Sequence, residues 1–178
     1  YQPQRIDEIE IGISEWNIKV NEDRDTAELI SALWSALWIG VMFEEGVNFA
    51  NQWDLATYTK EGGHSAFYID EDNMYVLPKS QYWALWMWSN LMGSEMLKSD
   101  LSGMESVKSF VTRSDTGLKI MLINTSENNE ATVAIKTKGA NVLEGQLHTY
   151  SSAEYFWDVH ASRPLWSCPP AVRQITLN

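Results

Sequence analysis

The sequence predicts two unlike parts: an α/β segment with parallel strands over residues 1–96, and an antiparallel all-β region over residues 97–178. Three observations lead there. A period-two apolar pattern is followed by a long apolar helix pattern, and strand then helix recur. Past residue 104, short strand patterns repeat about every 8–12 residues with turn residues between them. Composition also shifts near residue 96. Residues 1–96 hold 5 basic and 16 acidic residues and seven of the nine tryptophans, whereas residues 97–178 hold eight residues of each sign. A shift of that kind marks a domain boundary.

Composition excludes several classes. With 44% hydrophobic residues the chain has enough apolar surface to offset chain entropy, which excludes disorder. Cys168 is the single cysteine, which excludes a disulfide scaffold, a zinc ribbon and a redox CxxC. A net charge of −11 repels phosphate and argues against nucleic acid as a partner. The longest apolar run, residues 30–43, is shorter than the roughly 20 residues needed to cross a bilayer, so no membrane partner is expected. The chain opens at Tyr1 without Met, a basic leader or a signal-type apolar core, which points to a start inside a longer protein.

The first strand is read from the alternation Ile9, Ile11, Ile13. Asp25, three residues before Glu28, resembles a capping box opening a helix over residues 26–44. Leu29, Leu33, Leu37 and Gly40 form one face of it and Ile30, Trp34, Trp38 and Val41 the next, so it is buried on more than one side. Gly46 closes it as the C′ residue. Residues 47–55 read as a second strand running into a loop, and residues 60–77 as a loop with Gly62-Gly63 and an acidic run at Asp70-Glu-Asp72. A second helix starts at Pro78 or Lys79 and ends at Gly93. Strand–helix–strand–helix without a hairpin signal implies parallel strands, in part of a barrel or of an open sheet. In the second part the strand patterns fall at residues 106–113, 118–124, 131–137, 145–150 and 171–177, with turns at Ser114-Asp-Thr-Gly117, Ser126-Glu-Asn-Asn129 and Lys138-Gly139. That spacing suggests an antiparallel sandwich.

The residues that carry chemistry are Ser14-Glu15-Trp16-Asn17. A carboxylate at the C-terminal end of a parallel strand projects into the region where active sites of parallel barrels sit. Glu15 there could serve as the nucleophile of a retaining glycosidase, which needs a second carboxyl about 5–5.5 Å away. The Trp16 indole offers a flat apolar face to a sugar, and Asn17 can donate and accept hydrogen bonds. The plain alternative makes Glu15 a solvated strand-end acid and Trp16 a core anchor.

Ile11-Gly-Ile-Ser-Glu-Trp-Asn17 resembles the seventh barrel strand of clan A glycoside hydrolases. It is most like the (D/S/T)-E-W-N pattern of α-L-arabinofuranosidases and the related β-xylosidase and endoglucanase-like families. The resemblance implies that residues 1–96 are the last βα units of a (β/α)8 barrel, that residues 97–178 are the β-sandwich that follows it, and that Glu15 is the nucleophile. The activity implied is glycoside hydrolysis of a plant- or alga-type polysaccharide or oligosaccharide, without cofactor or metal, fitting a secreted or periplasmic setting. The clan's acid/base Glu belongs to an Asn-Glu pair on the fourth strand. Here Asn21-Glu22 follows the nucleophile strand and Asn129-Glu130 lies in a turn, so the acid/base is expected outside this chain. The chain would then partner a missing N-terminal barrel half, or self-associate through its bare apolar helix. A different reading is a non-catalytic carbohydrate-binding protein using exposed tryptophans.

Further substrate-binding candidates each have a plain alternative. Trp53 follows the second strand and could floor a sugar site or pack the core. Asn48 and Asn51 could bind hydroxyls, or form turns. His64, on a long loop after Gly62-Gly63, could touch substrate. Asp70-Glu-Asp-Asn73 lacks the Gly and distal Glu of a calcium loop and reads as a solvated turn.

Overall fold

The computed structural model describes residues 9–18, 26–56, 64–137 and 143–177; the expected cap at Asp25, the Asn21-Glu22 pair, Gly62-Gly63 and the Lys138-Gly139 turn lie outside them. Of the described residues 20% are helical and 39% strand, so the fold is mainly β. Strands β1 (Gly12–Trp16) and β2 (Phe49–Gln52) flank helix α1 (Leu29–Glu44). The hairpin β3 (Phe67–Asp70) and β4 (Tyr75–Pro78) precedes helix α2 (Ser80–Leu91). Seven strands follow: β5 (Glu95–Leu97), β6 (Val107–Ser114), β7 (Gly117–Asn124), β8 (Leu143–Thr149), β9 (Tyr155–Asp158), β10 (Arg163–Ser167) and β11 (Ala171–Leu177).

These strands form five small sheets among the described residues. β1 and β2 pair in parallel, Gly12 opposite Phe49 and Trp16 opposite Gln52, with an irregularity between Ile13 and Trp16. All other strand pairs are antiparallel: β3–β4, β5–β6–β7, β8–β11 and β9–β10.

This architecture overturns the expected α/β class of barrel βα units followed by a sandwich, and with it the clan A barrel resemblance. Among the described residues parallel pairing is confined to β1–β2 and a single bridge between Ala56 and Phe67. After β2 the chain returns as an antiparallel hairpin where a loop was expected, and among the described residues no further parallel strand is laid beside the pair. The β region does not form two large facing sheets either. Its strands split into one three-stranded sheet and two-stranded ribbons, and residues 131–137 form no strand. The strand itself lies at Gly12–Trp16, past most of the alternation in residues 9–13, so Ile9 and Ile11 precede it and, with Phe49, remain exposed.

The helices follow from local chemistry. α1 ends in a Schellman motif: Gly46 N–H donates to the Phe43 carbonyl at 3.2 Å and Val47 N–H to the Met42 carbonyl at 3.0 Å. Gly46 takes a φ of +72°, which only glycine adopts cheaply. Gly40 serves a different end, because a Cβ there would overlap the Phe110 ring, so its bareness lets α1 lie close on β6. Trp88, Phe110, Met121 and Ile123 form the main core, with Leu33, Leu37, Met87 and Met92 packed around them. Thus α1 and α2 lie on the β5–β6–β7 sheet. A second cluster joins Ala27 to Tyr155 and Trp157 of β9. Trp83 Nε1–H donates to Ser167 Oγ at 3.0 Å, and Ser167 Oγ–H to the Pro78 carbonyl at 2.6 Å, fastening β10 to the start of α2.

The β3–β4 turn is organised by Asp70. Its Oδ2 accepts from Asn73 Nδ2 and its Oδ1 from the Asn73 N–H, both at 3.0 Å, and these bonds hold the carboxyl below the usual carboxylate range. A depressed carboxyl contributes stability above its unfolded pKa and loses it as pH falls through the folded value. Asn73→Ala removes the side-chain donor but keeps the backbone one, so it is expected to move the Asp70 titration upward and to lessen that acid-side slope. A carbon-detected carboxyl titration by NMR checks it; an unmoved Asp70 midpoint would refute this account of the turn.

Candidate functional site

The C-terminal ends of β1 and β2 bring four of the seven candidate residues to one place. Glu15 is exposed on β1. Trp16, next to it, is buried, and its ring packs 6.0 Å from Trp34, which in turn stacks on Trp38 at 5.7 Å. Successive strand residues face opposite sides, so burying Trp16 against α1 turns Glu15 toward solvent. Trp16 is a core anchor and offers no sugar face.

Asn17 follows β1 and clasps two distant segments. Its Nδ2 donates to the carbonyls of Trp53 and, at 2.6 Å, His64, while its Oδ1 accepts from the Ile18 N–H at 2.7 Å. Its amide is fully used inside the protein, so Asn17 orients the site and does not present a free group.

Trp53 lies just past β2, and its N–H donates to the Trp16 carbonyl at 2.9 Å, prolonging the parallel pair. Trp53 is 47% exposed, so part of it is open to solvent. Trp53 Nε1–H donates to His64 Nε2 at 2.8 Å, and the two rings lie nearly parallel with centroids 6.3 Å apart. An accepting Nε2 places the proton of a neutral imidazole on Nδ1. The Trp53–Asp54 peptide bond is cis. Buried polar atoms without a hydrogen-bond partner among the described residues gather in these same segments: Trp16 Nε1, Asp54 Oδ1 and His64 Nδ1.

The two asparagines on or near β2 differ. Asn48 Oδ1 accepts from the Ile11 N–H at 2.8 Å, so Asn48 clamps the opposite end of the strand pair and is not part of this group. Asn51 is exposed within β2 and faces away from Gln52, the residue paired with Trp16, and so lies on the side to which Glu15 turns. Among the described residues no cluster of three or more His, Cys, Asp or Glu could hold a metal ion.

Sequence reading missed Gln81 and Gln52. Gln81 is fully buried in the first turn of α2. Its Nε2 donates to the carbonyls of His64 at 3.0 Å and Ser65 at 3.1 Å, and its Oε1 accepts from Gln52 Nε2 at 2.9 Å. The sequence offered little signal, because Gln81 follows Lys79-Ser80 in a polar run at the start of the second helix, and only its burial shows that its amide needs partners.

The site can therefore present one exposed carboxylate and one half-exposed indole, with the segments around them fixed by two internal amides. Neither the protein-family models nor the curated proteins compared with the chain contain a match to it.

Proposed function

We propose that this strand end handles carbohydrate, and that Glu15 is the nucleophilic carboxylate of glycoside hydrolysis. The observation that carries the reading is that β1, bearing an exposed Glu15, and the half-exposed, braced Trp53 just past β2 lie at the same end of a parallel strand pair, where Asn17 bonds to the Trp53 carbonyl. An indole face suits the C–H face of a sugar ring, and a carboxylate alongside can attack the anomeric carbon. In the first step the Glu15 oxygen bonds to that carbon and the bond to the leaving oxygen breaks. The leaving oxygen takes a proton from an acid that the described residues do not supply. Water then releases the sugar from Glu15.

A leaving group that is already a weak base needs no proton, so the half-site can be tested without its acid. The probe is a panel of 2,4-dinitrophenyl 2-deoxy-2-fluoro glycosides, in which fluorine slows release of the sugar. Mass spectrometry is expected to find one fluoroglycosyl adduct on the peptide containing Glu15, and none in Glu15→Gln. Binding of oligosaccharides should persist in Glu15→Gln and fall in Trp53→Ala. Retained binding with no adduct on any panel member would reject hydrolysis in favour of non-catalytic carbohydrate binding. That second reading is favoured by the placement of the one exposed ring of the site on a strand end open to solvent. Loss of both adduct and binding would reject carbohydrate altogether.

A further inference from the structure

We propose that Gln81 is a positioning residue that sets the Trp53–His64 ring pair, acting from the rigid first turn of α2. The proposal rests on the reading that Trp53 carries the sugar, and it deepens that reading. Gln81 touches no exposed group. Its side chain is wholly buried and grips both segments that bear the rings. On one side its Oε1 receives Gln52 Nε2–H, immediately before Trp53. On the other its Nε2 reaches the His64 and Ser65 carbonyls. The His64 carbonyl also accepts from Asn17 Nδ2, so two amides, one after β1 and one in α2, meet on one oxygen.

The chemistry explains why an amide is needed. Joining the two segments takes one acceptor, for Gln52, and two N–H donors, for two carbonyls. Glutamine alone among side chains of its length supplies both at one end. A glutamate at the same position would set an acceptor against the His64 and Ser65 carbonyls, and a methionine would take this donor from both, leaving the His64 carbonyl only Asn17. In either case the loop bearing His64 is free to shift, and the Trp53 Nε1–H to His64 Nε2 bond that fixes the indole loosens. Fixing the ring before the sugar arrives lowers the ordering cost of binding, so its loss appears as weaker affinity.

The test uses Gln81→Met, Gln81→Glu and the milder Gln52→Ala, each alone and combined with Trp53→Ala. Two readouts are taken well below each variant's unfolding temperature. The first is the imidazole nitrogen spectrum by long-range proton–nitrogen NMR, readable because the chain has three histidines and His64 is assignable by its own substitution. The His64 Nε2 resonance should move away from its hydrogen-bonded position in all three single variants. The second is oligosaccharide affinity, expected to fall about tenfold in Gln81→Met, the worth of one buried hydrogen bond. No further fall should follow once Trp53 is already alanine. Unchanged His64 resonances would overturn the proposal, as would an affinity loss that adds in full to that of Trp53→Ala. If the unaltered protein binds no oligosaccharide, the carbohydrate reading fails while the His64 spectrum still decides the role of Gln81.

Discussion

Trp88→Ala is expected to destabilise the protein by about 3–5 kcal/mol, the usual cost of emptying a buried aromatic site. Trp88 is the aromatic centre of the packing between the helices and the β5–β6–β7 sheet. Its ring meets Phe110 of β6 edge-on at 5.7 Å and Phe43 of α1 at 6.4 Å. Its Nε1–H donates to the Ala36 carbonyl at 2.9 Å, tying α2 to the middle of α1. Removing the indole therefore opens a cavity at the meeting point of three elements and drops a buried hydrogen bond. Trp88→Phe keeps most of the volume and should cost about 1–2 kcal/mol, largely the indole N–H bond. Urea unfolding of the three proteins measures both figures. A loss below about 1 kcal/mol for Trp88→Ala would mean that helices and sheet do not share this core.

The second large effect is expected at Tyr155. Its ring is almost fully buried beside Ala27 and Trp157, and its hydroxyl donates to the Ala27 carbonyl at 2.5 Å. This contact joins strand β9 to the residues just before α1, across most of the chain. Tyr155→Phe leaves the Ala27 carbonyl buried and without that donor, at a cost of about 1–3 kcal/mol. Tyr155→Ala adds a cavity and should cost about 3–5 kcal/mol. Burial also pushes the hydroxyl well above the usual tyrosine range, and burial pushes Tyr150 the same way. Because the folded values are raised, both groups stabilise the fold below the ordinary tyrosine pKa of about 10, and that contribution is lost as pH climbs beyond it. Stability measured against pH should therefore fall on the alkaline side, and less steeply in Tyr155→Phe. An identical alkaline slope in that variant would show that Tyr155 ionises as freely folded as unfolded.

Local elements were legible in the sequence wherever a single segment holds all the needed information. The α1 pattern, the Gly46 terminus and the Gly117 turn depend on residues within a few positions of one another, and all are present. A first strand and its parallel partner after α1 also follow from alternation and connection length, although the strand lies at Gly12–Trp16, displaced toward the C-terminus from the alternation at residues 9–13. Two things needed the folded chain. Phe67-Tyr-Ile-Asp70 and Tyr75-Val-Leu-Pro78 are short runs around an acidic turn, and hairpin pairing rather than periodicity makes them strands. The number of strands beside β1 is set by long-range pairing, which no local pattern specifies, so the barrel expectation failed there.

At the site, residue types alone placed Glu15, Asn17, Trp53 and His64 among the candidates, because carboxylates, amides and aromatic rings advertise their chemistry. Which of them serve as tools and which as struts is a matter of distance between segments 36 to 47 residues apart. Trp16 went into the core, Asn17 spent its amide on two carbonyls, and the buried Gln81 took hold of both ring-bearing segments. A linear chain carries the donors and acceptors. Burial then decides their partners, since an amide removed from water must find whichever carbonyl the fold brings within reach.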